Sequence, residues 1–378
     1  MEPVARFAWL TLAYNVAVIV WGAFVRATGS GAGCGNHWPL CDGAILPRAP
    51  QLQTLIEFLH RVTSVLALVM AASLLVWCWR KTSKGDWARY SAVLAVILLF
   101  NEALLGALLV VRNHVAQDQS AAHALLLCLH FGNTLLLLAS LALTARWLSS
   151  DDRRFAVTAK LRELLTTGIG LVAVMSVGIT GSLAALGDTI FPAASLRSSL
   201  MQDFSSSSHH LLRLRLLHPL TVVLGAIYVL WIVLKRSRRQ AHSSKTLPFL
   251  ISTLILQAGL GVMNVILLAP VSLQIVHLLV ADLFWILLVF ASADLLLETR
   301  SCQSLAKPKY LSALNRLPAS QAPDSLSSSI RLSRLPGSRC LAAPCATSGS
   351  CPAPFRHSFR TEFTRFRNTQ YSPPFMMN

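Results

Sequence analysis

Charge is what this sequence has least of. Only 13% of its 378 residues are Asp, Glu, Lys or Arg, whereas 54% are hydrophobic and the mean hydropathy is +0.56. A soluble domain carries about 25% charged residues, so a water-facing surface over the whole chain is excluded. Acids are scarcer still, 16 against 33 Lys and Arg. No A-x-A cleavage site follows the first apolar run; Arg26 and a Gly-rich stretch stand there instead. That run is also too long for the core of a signal peptide and leaves no room for a transit peptide ahead of it, so it is expected to remain as a membrane helix. A C-x-x-C pair is missing too. Cys302, Cys340, Cys345 and Cys351 crowd the tail without the ordered ligand pairs that a zinc site needs.

What is present is a series of long apolar blocks. Eight reach the length of about 18 residues that a membrane crossing requires, near 7–26, 55–79, 88–112, 121–145, 164–186, 211–234, 247–269 and 272–297. The last two are separated only by the turn around Ala269 and Pro270. The net charge of +17 follows this layout. Fourteen Lys and Arg lie after the second, fourth and sixth blocks: Arg80, Lys81, Lys84 and Arg89; Arg146, Arg153, Arg154, Lys160 and Arg162; Lys235, Arg236, Arg238, Arg239 and Lys245. By the positive-inside rule that side is cytoplasmic and holds both termini, in a bacterial plasma membrane. The basic charge is therefore a topology signal and lipid contact, with no nucleic acid implied. The tail at 300–378, rich in Ser, Pro and Arg, is expected to be disordered.

The blocks repeat. His60-Arg-Val-Thr-Ser-Val-Leu in the second matches His218-Pro-Leu-Thr-Val-Val-Leu in the sixth. "ALLGALLVV" from Ala103 matches "AGLGVMNVI" from Ala258, and "HFGNTLLLLASL" from His130 matches "HLLVADLFWILL" from His277. The first and fifth blocks share a T-G-S, Thr28 to Ser30 and Thr180 to Ser182, read here as their exits. Each half starts on the same side, so the fold class expected is all-α integral membrane: eight transmembrane helices as two duplicated, parallel four-helix bundles, 7–145 and 164–297.

Each half offers one His on its second helix and one on its fourth, all towards the outer side. His60 with His130, and His218 with His277, then make two candidate bis-imidazole haem sites. The fourth block also contains His123, but only His130 has a counterpart, which makes it the better ligand; His123 is expected at the outer edge, facing headgroups or water. An unpaired intramembrane His is as often a hydrogen-bonding group as a ligand; two duplicated pairs favour ligation. No third His or Cys recurs, so a metal without porphyrin is disfavoured. Arg61, Arg112, Arg213 and Arg215 lie on the outer side as candidate propionate contacts, with interfacial snorkelling as the alternative.

The halves differ at two places. Glu57 stands one helical turn before His60, whereas the second half has Arg215 at that position. A buried carboxylate there can exchange protons near neutral pH, or it can pair with Arg61 or Arg26. The first half alone carries the loop "GSGAGCGNHWPLCDG", whose Cys34 and Cys41 can form a disulfide in an oxidising compartment, as redox pair or structural clip. Cys78 and Cys128 lie within helices and read as packing.

That loop, the "IEFLHR" helix and the His of the fourth block resemble the first half of the haem A synthase family; the "HPLT" and "HLLVADL" helices resemble its second half. The likeness covers roughly 7–297. It implies oxidation of the C8 methyl of haem O to a formyl group, giving haem A for cytochrome c oxidase, an oxidoreductase reaction that removes four electrons and adds an oxygen. It further implies Glu57 as the catalytic residue, His60 and His130 around the substrate haem, and His218 and His277 on a haem b cofactor, with Cys34 and Cys41 as the family's cysteine pair. A haem O-producing farnesyltransferase is the partner it implies, and a homo-oligomer is compatible with it. The rival reading is a non-enzymatic di-haem membrane electron-transfer cytochrome.

Overall fold

A computed structural model describes residues 2–299 except 49, 116, 151–154, 158–159, 206–207 and 238–245. The Ser/Pro/Arg-rich tail with its four cysteines, and Arg153, Arg154, Arg238, Arg239 and Lys245, lie outside the described residues. Met1–Glu298 is one compact unit. Its elements are α1 (Pro3–Ala27), α2 (Leu52–Lys81), α3 (Trp87–Val111), α4 (Ala121–Ser149), β1 (Phe155–Val157), α5 (Leu161–Ile190), α6 (Leu196–Phe204), α7 (His210–Arg215), α8 (Leu217–Ser237), α9 (Thr246–Ile266), α10 (Val271–Leu296) and β2 (Leu297–Thr299). The two short strands pair with each other. Among the described residues, eight segments are long and apolar enough to cross a membrane, with α7 and α8 together making one. The protein is a multi-pass membrane protein.

Two departures from the expected spans have local causes. The sixth span breaks at Leu216 because Pro219 has no N–H and cannot bond the carbonyl of Arg215, four residues before it. In the fifth span, Thr180 to Ser182 sit well inside α5, which runs on to Ile190, whereas Thr28 caps the C-terminus of α1. The shared T-G-S therefore does not mark equivalent exits.

Helices approach through small side chains, as lipid-embedded bundles require. Ala67, Ala71 and Cys78 on α2, and Ala88, Ser91, Ala92 and Ala95 on α3, recur at three-, four- and seven-residue steps and are all buried. Polar groups on such faces are satisfied locally or across a contact: Asn15 donates to the Thr11 carbonyl at 2.8 Å, and Thr144 on α4 to Ser91 on α3 at 2.8 Å. The large exposed side chains, among them Val65, Ile97, Ile227 and Ile255, form the outward surface expected to meet acyl chains.

The centre of the molecule is where the halves meet. α4 and α10 are the most enclosed crossings, 44% and 50% buried over their apolar windows, against 6% for the peripheral α9. Leu135, Leu138 and Leu141 of α4 pack in one cluster with Trp285, Ile286, Val289 and Phe290 of α10 and Leu12 of α1. Trp285 Nε1 donates to the Leu135 carbonyl at 2.7 Å. At one end of this seam Arg146 of α4 pairs with Asp294 of α10. At the other, the half-buried Arg26 of α1 donates to the Ala185 carbonyl (2.8 Å) and Thr189 Oγ1 (2.9 Å) on α5, and to Gln274 Oε1 (3.0 Å) on α10. These ties fix α4 and α10, which carry His130 and His277, and hold α1 against α5 and α10.

Candidate functional site

The four repeat-related histidines share one local geometry. Each ring lies over a glycine of the preceding helix of its own half. A β-carbon built on Gly22 (α1) would stand 2.9 Å from His60 Cε1, and one on Gly181 (α5) 3.0 Å from His218 Cε1. On Gly106 (α3) it would lie 3.8 Å from His130 Cε1, and on Gly261 (α9) 3.4 Å from His277 Cε1. Gly22 and Gly181 are thus structural counterparts, so that Ala185, not Arg, stands where the first half has Arg26. His60 and His130 are within electrostatic reach of one another, as are His218 and His277.

The rings are half-buried, and three have a buried Nδ1 without a hydrogen-bond partner: His60, His130 and His277. Unpaired buried nitrogens are costly, and an imidazole that carries its proton on Nδ1 leaves Nε2 for a ligand. His218 Nδ1 lies 3.2 Å from the Val177 carbonyl, which favours the tautomer whose Nε2 is free. Among the described residues no cluster of three or more His, Cys, Asp or Glu forms a cage for a bare metal ion. Two axial imidazoles on a ring that supplies its own equatorial nitrogens suit this donor set, so the residues present fit haem.

Glu57 is buried, 3% exposed, in the second turn of α2. Its Oε2 accepts from the Cys34 backbone N–H at 2.8 Å, and its Oε1 from Arg61 Nη2 at 2.5 Å and Nε at 3.1 Å. Arg61 Nη1 in turn donates to the carbonyls of His37 and Leu40, both at 2.7 Å. The pairing with Arg61 left open by the sequence is present, and it ties the cysteine loop to the helix of His60. Cys34 and Cys41 are joined as a disulfide, both buried. Gly33 permits the close approach of this loop: a β-carbon there would lie 2.5 Å from the Gln53 carbonyl oxygen.

Other candidates land differently from expectation. Arg61 and Arg215, read as propionate contacts, have protein partners. Arg215 is buried over Gly187 and binds Asp188 (2.8 Å) and Asp203 (2.5 Å), pinning α6 to α5 and α7. Its stem occupies space that only glycine leaves. Arg112, just past α3, and Arg213 on α7 are exposed. His123 does not face water: it is 5% exposed, and its Nδ1 lies 2.8 Å from the Asp118 carbonyl. Asp118 itself, in the turn between α3 and α4, meets His114 Nδ1 (2.7 Å) and Ser120 Oγ (2.7 Å). Burial raises its pKa, and the hydrogen bonds from His114 and Ser120 outweigh that effect, so the carboxyl sits below its ordinary value.

Sequence reading passed over three polar side chains beside the histidines. Glu102 Oε1 on α3 lies 3.4 Å from His130 Nδ1. Gln257 Nε2 on α9 lies 3.2 Å from His277 Nε2. Asp282, five residues after His277, is fully buried with neither carboxylate oxygen hydrogen-bonded. Position within the repeat was the available signal for the first two, since both stand immediately before the A-x-L-G frame.

Residues 5–289 match the model of the COX15-CtaA family, described as cytochrome oxidase assembly protein. A Thermus thermophilus protein named protoheme IX farnesyltransferase is 42% identical over 301 residues, covering 77% of this chain and 48% of the relative. The chain therefore spans about half the length of that relative. A "Heme A synthase" of Halalkalibacterium halodurans is 38% identical over 147 residues, 39% of this chain and 47% of its own length. Another of that name, from Listeria monocytogenes, is 26% identical over 293 residues, 74% of this chain and 92% of its own length.

Proposed function

The chain belongs to the cytochrome oxidase assembly protein family, and from that membership we propose that it is a haem A synthase, an oxidoreductase converting the C8 methyl of haem O to a formyl group. The observation that carries the reading is the twofold His/His arrangement on glycine cradles, joined to a Glu57 and disulfide loop found in one half only. His60 and His130 would hold the substrate haem in the 7–145 bundle, and His218 and His277 a haem b in the 164–297 bundle. Bound haem iron supplies the redox chemistry.

The chain's own residues position and insulate that chemistry. The glycines let the rings approach the neighbouring backbone, and the enclosed α4–α10 seam excludes water between the halves. Glu57, one turn from His60, holds a negative charge against Arg61 and the Cys34 N–H. Through the same contact, breaking or forming the Cys34–Cys41 bond would shift the backbone segment whose N–H binds Glu57. The loop is thereby a candidate redox input to the helix of His60. We place the loop on the outer face of a bacterial plasma membrane, with the basic ends of the helices in the cytoplasm.

The Thermus relative is named for farnesyl transfer, yet this chain accounts for about half its length. A partner that farnesylates haem, acting immediately upstream, is the natural supplier of haem O.

The test is to produce the chain together with a haem O-forming farnesyltransferase and chromatograph the membrane haems, alongside Glu57→Gln. Glutamine keeps the acceptor for the Cys34 N–H, so the loop is retained while the charge is removed. Haem A from the parent chain and its loss in the variant support the proposal. Haem b alone from both, with haem O present, refutes it and favours the di-haem electron-transfer cytochrome.

A further inference from the structure

Glu102 and Gln257 occupy the same place in the two halves. Each immediately precedes the A-x-L-G frame of its helix, four residues before the glycine that cradles a histidine, Gly106 or Gly261. Each also reaches that histidine: Glu102 Oε1 stands 3.4 Å from His130 Nδ1, and Gln257 Nε2 stands 3.2 Å from His277 Nε2. One half therefore places a carboxylate beside its fourth-helix imidazole, and the other a neutral amide.

The surroundings differ in the same sense. Asn133 Nδ2 and Thr134 Oγ1, both buried on α4, donate to the two oxygens of Glu102. Asn101 braces Asn133 by donating to its side-chain oxygen at 2.8 Å. In the second half the corresponding positions are Leu256, Val280 and Ala281, which have no side-chain donor. The donors are present where the carboxylate is and missing where the amide is. A carboxylate costly to place in a membrane helix has thus acquired a dedicated set of partners.

We propose that Glu102 is a positioning residue that holds the Nδ1 proton of His130 and makes this imidazole the more electron-donating ligand of the two halves. The inference rests on the reading of His130 and His277 as haem ligands. An imidazole that ligates through Nε2 carries its proton on Nδ1, and Glu102 Oε1 offers an acceptor 3.4 Å from that atom. A carboxylate partner raises ligand basicity and so favours oxidised iron. Gln257 meets His277 at Nε2, and His277 Nδ1 has no hydrogen-bond partner, so the second-half imidazole lacks that support until a carboxylate is placed at 257. The two haem couples are thereby separated, with the first-half haem at the lower potential.

The experiment is a redox titration of the haem-loaded full chain, followed by its visible α-bands, for the parent, Glu102→Gln, Glu102→Asp and the reciprocal Gln257→Glu. Loss of a second partner of this kind typically changes metal binding by about tenfold or more. A tenfold change in a one-electron reduction equilibrium is about 59 mV. Glu102→Gln is expected to raise one couple by about that amount and leave the other in place, while Glu102→Asp stays near the parent. Gln257→Glu is expected to lower the other couple. Both couples unmoved in haem-replete variants would overturn the proposal. Should Glu102→Gln lose its haem, Gln257→Glu decides alone: a lowered second couple supports the inference and an unchanged one overturns it. A parent chain that binds no bis-histidine haem would instead remove the ligand reading on which the inference stands.

Discussion

Replacing the four cradle glycines one at a time by alanine makes a graded series set by geometry. The added β-carbon would meet its histidine ring at 2.9 Å for Gly22, 3.0 Å for Gly181, 3.4 Å for Gly261 and 3.8 Å for Gly106. Ordinary contact begins near 3.4 Å, so His60 and His218 must each withdraw by a few tenths of an ångström, whereas His130 need not move. Two opposing effects apply. Alanine is favoured over glycine in a helix by about 0.8–1.0 kcal/mol, and overpacking costs about 1–3 kcal/mol. Gly106→Ala is expected to be neutral or stabilising by up to about 1 kcal/mol. Gly22→Ala and Gly181→Ala are expected to lose up to about 2 kcal/mol after the helix gain. The ring shift also spoils ligand geometry, for which a misplacement of about 1 Å can cost about 100-fold in activity. Thermal melting in detergent and the haem-to-protein ratio measure the two effects separately. Gly106→Ala stripping haem as thoroughly as Gly22→Ala would refute the cradle argument, as would a Gly22→Ala protein that melts above the parent and keeps its haem.

Three further outcomes follow from contacts away from the rings. Arg215→Met leaves Asp188 and Asp203 without their guanidinium; it is expected to cost about 2–4 kcal/mol, discounted because Asp188 keeps water contact, and protease cleavage should reach α6 first. Asp282→Leu removes a buried carboxyl with no partner, so its melting temperature should rise by the equivalent of about 1–3 kcal/mol; a lower value would show that the carboxyl has an attractive partner. Asp118 has a pKa depressed in the fold, so its contribution is fully present above the ordinary carboxylate value and is lost as pH falls through the folded one. Acid melting curves of Asp118→Asn should therefore converge with those of the parent at low pH, and a constant gap between them would contradict this assignment.

The crossings were legible because apolar length is written directly in the sequence, and the histidines because duplication doubled a rare residue in matched frames. Glu102 was not, although it is equally rare in a membrane helix. A carboxylate amid Leu and Ala announces itself only once its counterpart Gln257 is compared, and that comparison required the glycine register. The T-G-S match led the other way, because three short residues recur by chance and α5 runs about one turn beyond the point equivalent to the end of α1. For Arg215 the sequence showed charge at the right end, but its partners come from α5 and from α6, a short helix with a Ser195 cap and too little apolar content to stand out. His123 looked peripheral because it opens its helix; the turn that buries it folds back through Asp118, a contact with no periodic signature. Glu57 stood out as a carboxylate in an apolar helix and is buried, whereas its grip on the Cys34 N–H depends on the loop's path.

The seam between the halves carries a historical consequence. Arg26 of α1 binds the carbonyl of Ala185, the residue at its own equivalent position in the second half. Trp285 reaches Leu135, and Arg146 reaches Asp294, while the positions equivalent to these two donors hold Leu138 and Ala293, which have none. Two copies of the first half set face to face would bring two guanidinium groups together and offer no indole to the waiting carbonyl. Whatever symmetrical ancestor the duplication began from, the present halves have become lock and key. Cut apart between α4 and α5, they should reunite only as one of each kind.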